Sequence, residues 1–182
     1  MIREHYLQDA LVQLKKYKEL AERGFGQVSD EQFFQAIDPH SNSIAIIVKH
    51  LAGNMHSRWT DFLTTDGEKP DRNRDREFEL EPLDTRERLL ERWESGWETT
   101  LESISALEWK DLEKTVPIRG EPHTVVEAIN RQLTHYAYHT GQIVLLARHF
   151  STDHWQWLSI PKGESVAYEV SKEGKQLEMD KE

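Results

Sequence analysis

The chain has 182 residues, which is enough for about one domain that buries most of its apolar surface. Its 33 acidic and 23 basic residues give a formal net charge of -10 at pH 7, and because the basic residues do not cluster, we expect no nucleic-acid partner. The chain has no cysteine, which excludes a disulfide framework and a protein thiol nucleophile and fits a reducing compartment. No segment approaches the roughly 20 apolar residues of a membrane span, and MIREHYLQD is not a signal peptide. We therefore expect a cytoplasmic protein without a membrane partner.

The N-terminal part of the chain predicts one long helix and one short helix. Residues 1–23 carry apolar side chains at helical spacing, and Gly24–Gly26 ends this first helix. Ser29–Ile37 adds a short helix, which Asp38–Pro39 stops because the residue before a proline avoids helical dihedral angles.

A second long helix follows and leads into a charged stretch. Ser41 or Ser43 caps the helix, which is predicted to run to about Thr65. Its apolar stripe consists of Ile44, Ile47, Val48, Leu51, Met55, Trp59 and Phe62. Residues 66–83 are charged, are broken by glycine and proline, and have little to bury. Fully extended, they would reach roughly 60 Å against roughly 36 Å for the preceding helix, so this length permits but does not require a crossover between the ends of a helical bundle.

A third long helix is predicted after the charged stretch. Asp84 and Glu87 form a capping-box pattern that opens a helix through about Ala106. Its core face carries Leu90, Trp93, Trp97, Leu101 and Ile104. The two tryptophans are interpreted as core residues rather than as an aromatic pocket wall. Thr115–Arg119, within a stretch that contains glycine and prolines, forms a short extended piece.

The last long helix covers Glu127–Phe150, with the sequence EAINRQLTHYAYHTGQIVLLARHF. Thr124 and Glu127 form a capping-box pattern at its start. One stripe carries Val125, Ile129, Leu133, Tyr136, Ile143, Ala147 and Phe150. His135 and His139 are four residues apart, so they lie on the same side of the helix, at one edge of this stripe, and face inward.

Four amphipathic helices of about twenty residues each predict an all-α fold, a four-helix bundle. We expect one domain over residues 1–162, in which Trp155, Trp157 and Leu158 supply packing side chains after the last helix. Residues 163–182 form a charged C-terminal tail that is frayed at its end.

The pair His135 and His139 has the spacing of a metal site on a helix. The alternative is two core-edge histidines that hydrogen-bond to their neighbours. A third ligand from another helix would favour the metal site, and the second long helix offers His50 and His56 at opposite boundaries of its apolar stripe. Periodicity does not choose between these two. The remaining histidines fall on a polar face, in the tail, in the first turn or beside helix starts, and are His149, His154, His5, His40 and His123.

Two motifs carry a resemblance to a known family. KHLAGNMHSRW in the second long helix and THYAYHTGQI in the last one resemble the DinB-like (YfiT-type) metal-binding four-helix bundles of bacteria, and among them a largely uncharacterised subgroup. The resemblance extends from residue 1 to about residue 162 and includes WLSIPKG. In that family one histidine of the second helix and an HxxxH pair of the last long helix bind a divalent metal. Carried over to this sequence, the resemblance implies His50, His135 and His139 as the metal ligands.

Characterised relatives in that family include bacillithiol- and mycothiol-dependent transferases and isomerases. Nothing in this sequence matches a residue that would identify one of those reactions. Three neutral imidazoles without a fourth protein ligand leave open positions on the ion, as catalytic sites do, and imidazole suits both zinc and nickel. Because the chain lacks cysteine, a thiol-transfer reaction needs a low-molecular-weight thiol as cosubstrate and an electrophilic small-molecule substrate. A metal-dependent hydrolase and a non-catalytic metal-binding scaffold are the alternatives.

Helix geometry also offers residues that support the ligands or line a pocket. Asn54 and Gln142 are the candidates, the latter because it lies close to His139 on the same helix. The wider set of candidates near the histidines is Asp61, Arg131, Gln132 and Tyr138. The alternative is that Arg131 and Tyr138 face solvent and that Asp61 only pairs with Arg58. The family resemblance and the six tryptophans indicate a homodimer.

Overall fold

Helices dominate the structure, a computed structural model that describes residues 2–151 and 154–164. Its regular elements are α1 (Ile2–Phe25), α2 (Asp30–Phe34), α3 (Ile44–Trp59), α4 (Arg86–Ser105), β1 (Thr115–Ile118), β2 (Glu121–Thr124) and α5 (Val125–Ser151). Single 3-10 turns are formed by Asp75–Phe78 and Trp109–Glu113. This arrangement agrees with the all-α prediction. None of the described helices combines the length and the apolar character that crossing a membrane requires.

Side-chain caps begin α2, α3, α4 and α5, because the first amide groups of a helix have no partner within it. Of the two serines predicted to cap α3, Ser43 accepts a hydrogen bond from the backbone N–H of Ile46. At the start of α5, Thr124 and Glu127 each accept a hydrogen bond from the other's backbone N–H, as the capping-box pattern predicts. Both starts therefore follow from local sequence.

The predicted cap of α4 was wrong by one residue. Thr85, and not Asp84, accepts the hydrogen bond from the backbone N–H of Arg88. The Asp84 carboxylate is held instead by Lys49, 2.6 Å away on α3, and by the backbone N–H of Glu81. A contact between helices thus removes the carboxylate from the capping position.

Two helices end earlier than the sequence predicts. α3 ends at Trp59 and not near Thr65, because Asp61 adopts a left-handed backbone conformation with φ of 48°. The next residues form a turn in which the carbonyl of Asp61 accepts from the N–H groups of Thr64 and Thr65. α2 ends at Phe34 and not at Ile37.

The core contains the apolar stripes of the long helices. Trp93 and Trp97 are fully buried and pack edge to face, with ring centroids 5.6 Å apart, which agrees with their interpretation as core residues. Trp97 in turn contacts Tyr136 of α5, whose hydroxyl accepts a hydrogen bond from the indole of Trp59. These aromatic side chains join α3, α4 and α5 into one core.

Helices α3 and α4 run in the same direction. In their first halves, Lys49 of α3 lies against Asp84 at the start of α4. At their far ends, the hydroxyl of Ser103 donates to the backbone carbonyl of Trp59 at 3.0 Å. The connection, residues 60–85, therefore returns along the length of α3 before α4 begins.

Helices α1 and α5 also run in the same direction. The hydroxyl of Tyr6 donates to Asn130 at 2.8 Å, and further along both helices the hydroxyl of Thr140 donates to the backbone carbonyl of Tyr17 at 3.5 Å. The start of α4 meets the end of α1, where Arg86 donates to a backbone carbonyl. The long helices thus form two parallel pairs of opposite direction.

The connection was expected to bury little, and this expectation was wrong. Its 3-10 turn packs on α3 and places Glu77, which is 5% exposed, inside the protein. Arg72 of the same segment has a similarly buried side chain. A charged segment becomes buried here because its charges pair with one another and with α3.

The predicted extended piece is strand β1, which pairs antiparallel with β2. Arg119 and Gly120 form the turn between them, and both have positive φ values, of 57° and 76°. The carboxylate of Asp66 in the connection accepts hydrogen bonds from both of their backbone N–H groups. The hairpin tip is therefore tied to the connection.

After α5, the described residues 154–164 contain no further helix beyond a single turn. Trp155 is partly buried against the core, whereas Trp157 is largely exposed. Residues 165–182, most of the predicted charged tail, lie outside the described part of the chain.

Candidate metal centre

Three histidines from two helices come together where α3 meets α5. They are His50 of α3 and the pair His135 and His139 of α5, with ring centroids 4.7 to 5.4 Å apart. One ring nitrogen of each lies within 4.8 Å of one nitrogen of the other two. The Nε2 atoms of His50 and His135 are only 3.3 Å apart. We call this group the three-histidine site.

The structure resolves the choice that periodicity leaves open on α3. His50 is buried and faces α5, whereas His56 lies on the side toward α4, with Nδ1 3.4 Å from the hydroxyl of Thr99. His149 is exposed on α5. Among the described residues only the three-histidine site forms a group of histidine, aspartate or glutamate side chains close enough to share an ion.

The histidines of α5 are held in their neutral form. Burial, together with the positive charges of neighbouring histidines and arginines, lowers the pKa of His135 to about 3. Burial and the neighbouring His50 lower the pKa of His139 to about 4, although a hydrogen bond to Gln142 opposes the shift. Neutral imidazoles are the form that binds metal ions.

A buried carboxylate orients His50. Nδ1 of His50 donates to Oε2 of Glu77 at 2.8 Å, which leaves Nε2 directed at His135. Arg72 fixes the carboxylate with two hydrogen bonds, from Nε to Oε1 at 2.7 Å and from Nη2 to Oε2 at 2.8 Å. Burial opposes the charge of Glu77, but the hydrogen bonds from His50 and Arg72 outweigh it and hold its pKa below the usual value. Carboxylates commonly orient ligating histidines in this way.

Gly53 makes this contact sterically possible. It lies three residues after His50 on the same face of α3, and a Cβ atom built there would be 2.5 Å from Oε1 of Glu77. No side chain fits that gap unless the carboxylate moves. Gly53, the glycine of KHLAGN, therefore allows the connection to pack closely against α3.

Gln142 has the corresponding position next to His139. Its Oε1 accepts a hydrogen bond from Nδ1 of His139 at 2.7 Å, which leaves Nε2 of that ring for the centre of the site. The sequence prediction placed this residue near His139 as a supporting group, and the structure brings the two side chains together.

A cavity of about 370 Å³ lies beside His50 and His135. Five arginines line it, and we call it the arginine cavity: Arg58, Arg72, Arg74, Arg119 and Arg131. A larger cavity of about 640 Å³ lies on the other side of Glu77, between α3, α4 and the connection, and none of the three histidines lines it. The arginine cavity is therefore the one with access to the three-histidine site.

The other predicted pocket residues divide into two groups. Asn54 and Gln132 are buried walls of the arginine cavity, and their side-chain oxygens have no hydrogen-bond partner among the described residues. Tyr138 is exposed, as predicted, but it also lines the cavity. Asp61 lies in the turn after α3 and does not line the arginine cavity. The carboxylate beside Arg58 is that of Glu68, at 3.7 Å.

Sequence reasoning missed Glu77 and Arg72 because both lie in a charged stretch that was interpreted as solvated. One local signal pointed to them. A glycine inside a helix often marks a close approach by a neighbour, and Gly53 stands one turn from His50. Gly53 thus indicates where another segment packs against α3, but it does not identify Glu77 as the residue that does so.

Comparison with protein families matches residues 1–164 to the family described as Protein of unknown function (DUF1572). The chain belongs to the DUF1572 family. The matched range includes the three-histidine site, Glu77 and every residue that lines the two cavities. No curated protein and no solved structure matches the chain.

Proposed function

We propose that this chain is a bacterial, cytoplasmic, metal-dependent enzyme of the DinB-like (YfiT-type) four-helix-bundle superfamily. The observation that carries the proposal is the convergence of three imidazoles beside a cavity, with one nitrogen of each within 4.8 Å of the others. The resemblance of KHLAGN and THYAYHTGQI to that superfamily supports the same ligands.

The donor set of His50, His135 and His139 fits a divalent ion, with zinc or nickel as the proposed metals. Glu77 and Gln142 accept hydrogen bonds from the Nδ1 atoms of His50 and His139, so both rings offer Nε2. A divalent ion bound there would supply a Lewis acid that lowers the pKa of a coordinated thiol or water.

The proposed reaction transfers a low-molecular-weight thiol to an electrophilic small molecule. The thiol comes from outside because the chain has no cysteine. The sulfur forms a bond to the electrophilic carbon, the leaving group departs with its electron pair, and the thiol proton goes to solvent. The buried side chains of Asn54 and Gln132 wall the cavity in which the electrophile would bind.

Elemental analysis of the purified protein, followed by titration of a cobalt-substituted sample with 2-mercaptoethanol, tests this proposal. We expect about one ion per chain and a new sulfur-to-metal charge-transfer band. The thiol should be consumed faster when 1-chloro-2,4-dinitrobenzene is present, in wild type and in the His149→Ala control but not in His139→Ala. Bound metal with an unchanged spectrum would exclude thiol transfer and leave hydrolysis, which p-nitrophenyl acetate would reveal. No turnover in either assay would favour a non-catalytic scaffold.

We also propose that the enzyme is a homodimer. Tyr138 and Leu145 are seven residues apart on one face of α5 and are 63% and 66% exposed, so this face offers apolar surface to a second copy. Light scattering at micromolar concentration should give about twice the chain mass of 21.4 kDa, and a particle of that single mass would exclude the dimer.

A further inference from the structure

The arginine cavity has the opposite charge to the rest of the protein. The chain carries a formal net charge of -10, yet five arginines and no aspartate or glutamate are among the described residues that line this cavity. Like charges gathered in a concave site with low-dielectric walls raise the local potential and attract ions of the opposite sign.

The carboxylates behind the cavity compensate these arginines only in part. Glu77 is occupied by the two hydrogen bonds from Arg72 and the one from His50. Glu68 is shared, since its Oε2 lies 3.0 Å from Nη1 of Arg72, 3.4 Å from Nε of Arg119 and 3.7 Å from Nη2 of Arg58. Two carboxylate groups thus serve three guanidinium groups, which leaves positive charge uncompensated.

Arg58 is the least compensated of the buried charges. The residue is 4% exposed, and its Nε and Nη1 atoms have no hydrogen-bond partner among the described residues. Burial lowers the pKa of its guanidinium, which nevertheless remains protonated, as arginine does in proteins. A buried charge whose carboxylate partner is shared and 3.7 Å away is costly, and an anion in the adjoining cavity would offset that cost.

Arg131 of α5 lines the arginine cavity together with Arg58 of α3. It is exposed on α5, four residues before His135, so it lies on the same side of the helix as that histidine. No carboxylate of residues 2–151 or 154–164 lies within ion-pair distance of it. Arg58 and Arg131 therefore place one buried and one exposed guanidinium on different walls of the cavity, next to the three-histidine site.

We infer that the arginine cavity binds the anionic group of a small substrate, a carboxylate or a phosphate, and places the rest of that molecule at the three-histidine site. This inference rests on the proposed function, since it names the substrate class of the same site. A volume of about 370 Å³ fits a small molecule. The concave shape and the net charge of -10 oppose a nucleic acid as the source of the phosphate.

Calorimetric titration with three probes of similar size tests the inference. Benzoate carries a carboxylate, phenyl phosphate carries a phosphate, and benzamide is the neutral counterpart. Each is titrated into metal-free and into zinc-loaded protein. We expect the metal-free protein to bind at least one of the two anions about tenfold more tightly than benzamide, because charge-assisted contacts to arginine require no metal.

Three variants locate the binding. Arg58→Met removes the buried charge at similar volume, Arg131→Gln removes the exposed one with little risk to folding, and Arg88→Gln removes an exposed arginine of α4 outside the cavity. We expect anion affinity to fall about tenfold in Arg58→Met and about threefold in Arg131→Gln, and to stay unchanged in Arg88→Gln. Equal binding of benzamide, or unchanged anion affinity in the first two variants, would overturn the inference.

The comparison of metal-free with zinc-loaded protein distinguishes a failure of this inference from a failure of the proposed function. Anion binding that appears only with zinc and is unaffected by both cavity variants would mean direct coordination, which supports the metal site but overturns the role of the arginines. Anion binding to metal-free protein that depends on Arg58 and Arg131, in a chain that takes up no metal, would support the cavity as an anion site while the proposed function fails.

Discussion

Glu77 reaches His50 across 27 positions of the chain and accepts the hydrogen bond of its Nδ1 at 2.8 Å. Both side chains are buried, and Arg72 holds the far side of the carboxylate. The contact ties the connection to α3 and sets which nitrogen of His50 points at the histidines of α5. The geometry of the three-histidine site therefore depends on a segment that contains none of its histidines.

The first prediction concerns this contact. Glu77→Gln should weaken metal binding by about 10- to 100-fold, because the neutral amide loses the charge that orients His50 and pairs with Arg72. Competition with a metal-sensitive chelating dye measures the affinity. Glu79→Gln, two residues away and exposed, is the matched control and should bind like wild type. Wild-type affinity in Glu77→Gln would exclude an orienting role for this carboxylate.

The second prediction concerns Gly53. In an exposed helix interior, alanine is more stabilising than glycine by about 0.5 to 1 kcal/mol. Gly141→Ala of α5 should show this gain in the free energy of unfolding, because a Cβ atom there meets nothing within 4 Å. Gly53→Ala should not show it, since its Cβ atom would lie 2.5 Å from Oε1 of Glu77. We expect the displaced carboxylate to lower metal affinity as well.

Urea unfolding and dye competition on this pair of variants test the argument. If Gly53→Ala gained as much stability as Gly141→Ala and kept its metal affinity, the close packing of Glu77 on α3 would be wrong. Loss of metal affinity in Gly141→Ala would show that alanine perturbs these helices in general.

The third prediction concerns the ligand set. Alanine at His50, His135 or His139 should in each case remove most of the bound metal, because two remaining imidazoles hold a divalent ion weakly. Alanine at His56 or His149 should leave metal content unchanged, since neither side chain belongs to the three-histidine site. Elemental analysis after dialysis gives the answer, and full occupancy in His50→Ala would refute the assignment.

The parts of the structure that the sequence predicts are those determined by local interactions. The cap of α5 requires only Thr124 and Glu127, which are three residues apart, and the four-residue spacing of His135 and His139 alone places them on one side of the helix. The apolar stripes predict the core positions for the same reason. Periodicity within one segment contains all of this information.

The rest depends on contacts between distant segments. His50 and His56 occupy equivalent boundaries of one stripe, and only the packing of α3 between α4 and α5 distinguishes them. Asp84 has the sequence pattern of a cap, but Lys49 of another helix binds its carboxylate. Glu77 belongs to a charged stretch, and its burial depends on Arg72 and His50. Such partners are set by the fold as a whole.

The fourth prediction concerns the stability of the metal-free protein in mild acid. Histidines of an unfolded chain titrate near pH 6.5, whereas burial lowers the pKa of His135 to about 3 and of His139 to about 4. Between those values the unfolded state binds more protons, so the free energy of unfolding should fall as pH falls, by at most about 1.4 kcal/mol per pH unit for each histidine. Urea titrations from about pH 7 to about pH 4 measure this slope. It should be smaller in His135→Gln and unchanged in His149→Gln, whose histidine is exposed. An equal slope in all three proteins would mean that His135 does not titrate below its ordinary pKa.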